Sequence, residues 1–311
     1  MPERHPHHGS SRPLAGLAAI AAAAILWAVA AAVARTLFDD GVEPLQLVQA
    51  RAFLSAAGLA FLPGAWRRPA RAEPHFVIAL GVAIALVNGF YYIAIQRLAV
   101  AVALVLQYTG PALVVAWVAI TTRKKPSRQI ALALVGAIVG VVLVSRVLEV
   151  ELGSLDLVGI ACGVGAAVMF ATYTLVSERA GHSYGVLGAL FRGFLAASVV
   201  WLIYQVPQGW PSTLTDGGHL PRVLFVGLAG TLAPFLLYLW GVQHVRAERG
   251  VIAATLEPVV AGVIAWVWLD QVLSTVQLIG GALIIVSIAS LQVRRSESDR
   301  EPLPANVPPS P

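Results

Sequence analysis

The chain has 311 residues, 58% of them hydrophobic and only 12% charged, about half the charge fraction of a soluble domain of this size. That composition excludes a soluble globular protein, and a single cysteine, Cys162, excludes a disulfide framework or a thiolate metal site. The net charge of +5 does not point to nucleic acid, because the basic residues sit in short loops between apolar runs of membrane-spanning length.

Residues 1–13 read as a cytoplasmic N-terminal segment. Its His5, His7 and His8 constitute no designed metal site. Breaking the remainder at charged, Pro and Gly clusters predicts ten helices, at 14–34, 45–62, 75–97, 99–121, 128–147, 157–178, 185–205, 221–244, 248–269 and 274–293. The first ends in "AVAR", which resembles a signal-peptidase site. Its roughly 21 apolar residues exceed the usual 7–15 of a signal-peptide core, so it reads as a retained span, carrying Trp27.

The second span carries Arg51. On the third, Asn88, Tyr91, Tyr92 and Gln96 recur at i, i+3, i+4 and i+8 and make one polar-aromatic face. The fourth offers Gln107, Tyr108, Pro111 and Trp117, and the fifth contains "GAIVG". The sixth contains "GIACG" and Tyr173; both glycine pairs have small-xxx-small spacing, which helix packing is enough to explain. Arg192 lies in the seventh span, Pro234, Tyr238, Trp240 and Gln243 in the eighth, and Glu257 with Pro258 in the ninth. Trp201, Tyr204 and Trp268 read as interface aromatics. The tail, residues 294–311, is polar and proline-rich and is expected to be a disordered cytoplasmic segment.

Orientation follows from Lys and Arg. With the N-terminus in the cytoplasm, fifteen fall inside, among them Arg67, Arg68, Arg71, Arg123, Lys124, Lys125 and Arg128. Only Arg35, Arg97, Arg146 and Arg222 fall outside. This bias selects an even number of spans with both termini cytoplasmic, in a bacterial-type inner membrane.

Arg51 and Arg192, the two basic residues left inside spans, align with each other. "QARAFLSAAGLAFL" around Arg51 matches "LFRGFLAASVVWL" around Arg192. At one further constant offset Tyr91 falls on Tyr238, Gln96 on Gln243 and Pro111 on Pro258. The chain therefore reads as two five-helix halves, 14–147 and 157–293. An odd number of spans per half inserts the second copy upside down. Inverted repeats of this kind mark transporters, with a substrate site near the midplane between the halves.

The stretches "ILWAVAAAVARTLFDDGVEPLQLVQARAFLSAA", "ALVLQYTGPALV" and "ATLEPVVAGVIAWVWLDQVLSTVQLIGGALII" resemble the EamA-type exporters of the drug/metabolite transporter superfamily. The likeness covers both halves, about 16–293, and departs where Asp270 stands in the position of a frequent glutamate. It implies ten helices around a central cavity, with the fifth and tenth lying outside. It also implies export of amino acids or related metabolites. The glycine-proline stretch of the fourth span is most similar to that of amino-acid exporters.

Ionisable residues at membrane depth cost about 2.5–3.5 kcal/mol each on insertion scales, so they face a cavity or a partner. Arg51, Arg192 and Glu257 qualify. Counting about 1.5 Å per residue from the cytoplasmic entries puts Arg192 and Glu257 at nearly the same depth. Arg192 is therefore the expected partner of Glu257, with Arg51 farther away. Three readings of Glu257 stay open: half of a structural ion pair, a proton carrier exchanging with substrate, or a receiver for a substrate ammonium. Pro111, Pro234 and Pro258 free the carbonyls of Gln107, Gly230 and Ala254, and such breaks are tolerated only where protein or a cavity covers them.

The expected cavity lining is Trp27, Asn88, Tyr91, Tyr92, Gln96, Gln107, Tyr108, Trp117, Tyr173, Tyr238, Trp240, Gln243 and Glu257. No span offers paired carboxylates, an H-E-x-x-H pair, or a Ser with a His at membrane depth, so the chain does not read as an enzyme. The sequence reads as an all-α integral membrane protein, a secondary transporter exporting amino acids or similar metabolites by alternating access. Its partners are a small-molecule substrate and the lipid bilayer, with protons as a candidate coupling ion, and no cofactor or nucleic acid. Efflux of lipophilic or cationic compounds by proton antiport is the alternative, and a non-transporting scaffold the more distant one.

Overall fold

The structure is a computed structural model that describes residues 11–67, 73–98, 100–149, 156–209, 212–245, 247–269 and 272–293. The expectations for His5, His7, His8, Asp270 and the tail 294–311 lie outside the described residues. The described chain is helical, with short 3-10 turns, one π-helical turn and no strand. Composition explains this: in an apolar medium every backbone N–H and C=O must be satisfied within the chain, and a helix does so locally.

Among the described residues the α-helices are α1 (Ser11–Asp39), α2 (Pro44–Ala60), α3 (Pro74–Arg97), α4 (Val100–Gln107), α5 (Gly110–Thr122) and α6 (Arg128–Val144). They continue with α7 (Leu157–Gln205), α8 (Leu220–Gly227), α9 (Ala233–His244), α10 (Ala247–Ala253), α11 (Glu257–Leu269) and α12 (Thr275–Val293). Among the described residues five stretches are long and apolar enough to cross a membrane, Pro13–Asp39, Pro74–Ile95, Val102–Thr122, Leu157–Gln208 and Leu220–His244. The chain is thus an all-α protein with several membrane-length apolar helices. Proline in the first turn starts α2, α3, α5, α8 and α9, where its missing N–H would have had no helical partner.

Several of the apolar runs are not simple rods. The runs expected at 157–178 and 185–205 are two helices that meet without a loop at Gly185, together labelled α7; the glycine's φ of 70° and ψ of 165° lie in a region nearly closed to side-chain-bearing residues. The run at 99–121 divides into α4 and α5 across Tyr108 and Thr109, and the run at 248–269 divides into α10, a 3-10 turn and α11. Their boundaries correspond: Val100 with Ala247, Gly110 with Glu257, and Thr122 with Leu269, each pair 147 residues apart. The run at 221–244 contains the π-turn Leu228–Leu232 just ahead of Pro234.

Helices meet where side chains are smallest. A Cβ added to Gly140 would stand 2.8 Å from the Gly280 carbonyl oxygen, and one added to Gly280 would stand 2.8 Å from that of Gly140. α6 and α12 therefore touch backbone to backbone, as small residues permit in membrane bundles. The contact is bracketed by Gln129 Nε2 donating to Ser290 O and by Gln277 Nε2 donating to Val144 O at 3.3 Å. "GAIVG" is thus a packing seam. In "GIACG", Gly159 lies against Leu98 and Gly163 against Leu106, seating α7 on the end of α3 and on α4.

The two ends of the bundle differ. At the end of the α1–α2 turn, Arg222 pairs with Asp40 at 2.6 Å and Arg97 with Asp156 at 3.0 Å. Asp156 also caps α7, accepting from Gly159 N at 2.8 Å. At the opposite end the segment after α2 is sealed against the middle of α7. There Arg192 Nη1 donates to Ala65 O at 2.9 Å and Nη2 to Arg67 O at 3.2 Å, and Trp66 packs on Phe191 with ring centroids 4.7 Å apart.

Candidate functional site

Between these ends lies a cavity of about 710 Å³. Arg35, Phe38 and Pro44 form its mouth at the α1–α2 end, and Trp27, Phe170, Tyr173 and Phe235 line its deeper part. Trp27 lies eleven residues before Phe38 on α1, which at about 1.5 Å per residue puts the deeper part some 16 Å inside the bundle. The walls are mostly aromatic and small, and three charged residues line the space: Arg35 at the mouth, paired with Asp39 at 3.0 Å, and Arg51 and Glu257 farther in.

Glu257 is the first residue of α11, so the helix break at Pro258 carries it into the cavity. It is half-buried, and its Oε2 accepts a hydrogen bond from the Tyr108 hydroxyl at 2.8 Å. The same hydroxyl lies 3.5 Å from the carbonyl oxygen of Ala254, the group that Pro258 leaves without its helical N–H. Tyr108 sits at the corresponding break between α4 and α5. The two breaks thus meet across the cavity, one supplying the carboxylate and the other a donor to it.

Arg51 is only 8% exposed. Its Nε donates to Thr231 Oγ1 at 2.6 Å and its Nη1 to the Tyr92 hydroxyl at 2.7 Å. Thr231 lies in the π-turn, and its own hydroxyl donates to Val226 O at 2.7 Å. Asn88 Nδ2 donates to Ile84 O at 2.9 Å, and Gln107 Oε1 is buried without a partner among the described residues.

The cavity gathers Trp27, Arg51, Asn88, Tyr91, Tyr92, Gln107, Tyr108, Tyr173 and Glu257 from the expected set. Others stand elsewhere. Arg192 does not pair with Glu257: besides Ala65 and Arg67 it donates to Gly188 O at 3.1 Å, and its Cζ lies 5.1 Å from the Tyr184 ring centroid. The depth count failed because it fixes height in the bundle and not the direction a side chain takes. Trp117 is exposed on the outer face of α5, and Trp240 is exposed on α9, its ring tilted against that of His244 with centroids 4.0 Å apart. Tyr238 lies one layer behind the wall, fully buried, 5.4 Å from Tyr173 and hydrogen-bonded to Thr174 at 2.9 Å. Gln243 packs against Gly181, outside the cavity. The side chain of Gln96 lies outside the described residues.

Pro111 and Pro258 sit at the paired breaks, and Pro234 follows the π-turn. Thr231, Phe38, Phe170 and Phe235 are cavity or cavity-supporting residues that sequence reasoning missed. For Thr231 the signal was present: a hydroxyl beside Gly230 and three residues before a helix-breaking proline.

The comparisons with known proteins agree with this architecture. The sequence profile of the EamA-like transporter family matches residues 14–146 and 157–292. The threonine/homoserine exporter RhtA of Escherichia coli strain K12 is 27% identical over 282 residues, covering 89% of this chain and 91% of that protein. An uncharacterized transporter of Archaeoglobus fulgidus is 27% identical over 274 residues, covering 88% and 94%. A solved crystal structure matches with a TM-score of 0.71 at 22% identity, covering 93% of this chain and 99% of that one. With both stretches matched, the chain belongs to the EamA-like transporter family.

Proposed function

We propose that this protein is a secondary transporter that exports amino acids or related small metabolites across the cytoplasmic membrane by alternating access. The observation that carries the reading is the cavity itself, in which the buried guanidinium of Arg51 and the carboxylate of Glu257 face a common aromatic-walled space. A zwitterion offers an anionic group to Arg51 and a cationic group to Glu257, while its side chain meets the rings. The similar exporter RhtA acts on threonine and homoserine by its name, which makes these the first probes.

In this reading the chain spans the bilayer ten times, as two inverted halves over 14–147 and 157–293, both termini cytoplasmic. The matched boundaries at 147 residues and the reciprocal Gly140–Gly280 contact of α6 and α12 support that arrangement. The cavity then opens outward, and the Arg192 cluster seals the cytoplasmic side. Protons are the proposed coupling ion, with Glu257 as their carrier.

The aromatic lining favours a second reading, efflux of lipophilic cations. Arg51 opposes it, because a bare cation in the same cavity meets a fixed positive charge. Proteoliposome uptake of labelled threonine, homoserine and a wider amino-acid panel, with and without a pH gradient, tests the proposal. Movement of an amino acid supports it. Movement of tetraphenylphosphonium but of no amino acid overturns it in favour of the cation reading. Uptake by Glu257→Gln that keeps its dependence on the gradient removes Glu257 as proton carrier.

A further inference from the structure

We infer that Arg51 reads the substrate's carboxylate, and that Thr231 and Tyr92 fix the guanidinium for that task. The inference rests on the amino-acid exporter reading and names the part of the site that selects for a carboxylate. Arg51 is almost fully buried, yet among the described residues no carboxylate lies within salt-bridge distance of it. Its two side-chain hydrogen bonds go to neutral hydroxyls. A guanidinium has five N–H donors in a planar fork that matches a carboxylate. Thr231 takes Nε and Tyr92 takes one hydrogen of Nη1, so Nη2 keeps donors for a ligand in the cavity that Arg51 lines.

The orientation is built rather than incidental. Thr231 commits its single proton to Val226 O, five residues back, so that its oxygen can only accept from Arg51. That five-residue spacing belongs to the π-turn, a form of helix often found at functional sites. Tyr92 accepts from Nη1, which leaves its own proton available to a bound anion. Behind the guanidinium the space is only about 10 Å³, no more than one water requires, so the group has no room to withdraw from the cavity. Arg51 is thus the binding residue, and Thr231 is a positioning residue acting through it.

The test compares each amino acid with its carboxamide, which keeps the ammonium and side chain and loses the negative charge. Proteoliposome uptake is measured for threonine against threoninamide and for phenylalanine against phenylalaninamide. The wild type is expected to favour the acid by tenfold or more in kcat/KM. Arg51→Gln should erase the preference by lowering only the acid, and Arg51→Lys should keep part of it. Thr231→Val should raise KM for the acid several-fold, leaving kcat and the amide unchanged, and Thr231→Ser should restore the wild-type value. The Thr231 pair decides the matter if Arg51→Gln does not fold. Equal uptake of acid and amide by the wild type overturns the inference and leaves the exporter reading standing. Equal losses for acid and amide in Thr231→Val overturn it too, because they mark a structural role. If none of the four compounds moves, the exporter reading falls and this inference with it.

Discussion

Glu257 and Tyr108 make the only described side-chain hydrogen bond to a carboxylate in the cavity, and it joins residues 149 apart in sequence. A hydrogen bond to a charged group contributes about 1.5–3 kcal/mol. Tyr108→Phe and Glu257→Gln should therefore couple by at least 0.5 kcal/mol in a double-mutant cycle, as contacting residues do. Arg192→Ala and Glu257→Gln, which share no partner, should add to within about 0.5 kcal/mol. Thermal stability in detergent and initial uptake rate are the readouts. Additivity in the first pair, or coupling in the second, would show that Glu257 is held by something other than Tyr108. Glu257, Arg51 and the α3 face were legible in the sequence because a charge or a polar stripe at membrane depth demands a reason. Trp117, Trp240 and Gln243 misled because helical spacing tells which residues share a face, and not whether that face meets cavity, lipid or another helix. Thr231 was easily passed over despite its neighbours Gly230 and Pro234, because an isolated hydroxyl in an apolar run usually bonds its own helix, as Thr174 and Ser198 also do.

At the level of elements, the helix breaks were legible from Pro111, Pro234 and Pro258, whereas the geometry they produce was not. A proline announces a lost hydrogen bond, but whether a π-turn, a 3-10 turn or a gap follows depends on neighbouring packing. The α6–α12 seam yields a prediction. Gly140→Leu drives a side chain into the Gly280 backbone, which cannot rotate away, and overpacking of this kind costs about 1–3 kcal/mol. A lowered melting temperature is expected, with uptake surviving at temperatures where the variant stays folded, since neither helix lines the cavity. An unchanged melting temperature would mean that the two helices do not meet there. The start of α7 yields a second prediction. The Gly159 N–H, first, and then the Arg97 guanidinium hold the Asp156 carboxyl below its ordinary range. Its contribution to stability is complete above the unfolded value of about 3.9 and is lost as pH falls through the lower folded value. The melting-temperature gap between wild type and Asp156→Ala should be full at neutral pH and shrink on acidification below about pH 4. Asp156→Asn, which can still cap, should lose less. A gap independent of pH would deny the carboxylate this role.

For the whole molecule, the sequence repeat made two aligned arginines visible, and the structure gives them opposite duties. Arg51 faces the open cavity, while Arg192 holds the closed end through three carbonyl oxygens and the Tyr184 ring. No sequence pattern could have separated them, because the difference belongs to the state of the molecule and not to either segment. If the halves are inverted copies that rock about the midplane, opening the other side requires Arg192 to release Ala65 and Arg67. The sealing bonds then bias the equilibrium between the two states, and removing them shifts it by their differential energy. Hydrogen bonds from a charged donor are worth about 1.5–3 kcal/mol, so Arg192→Ala should raise the population open at the sealed end roughly 10- to 100-fold. A cysteine placed at Ala65, which has no exposed surface in the present state, reports that population directly in a Cys162→Ala background. Its rate of alkylation by a membrane-impermeant maleimide applied from the sealed side should rise by that factor when Arg192 is also Ala. A cysteine at Ala31, on the cavity wall, should react more slowly from the open side in the same variant. Opposite changes at the two positions are the signature of one equilibrium moving. Faster labelling at both would instead reveal loosened packing, and no change at either would remove Arg192 from the gate.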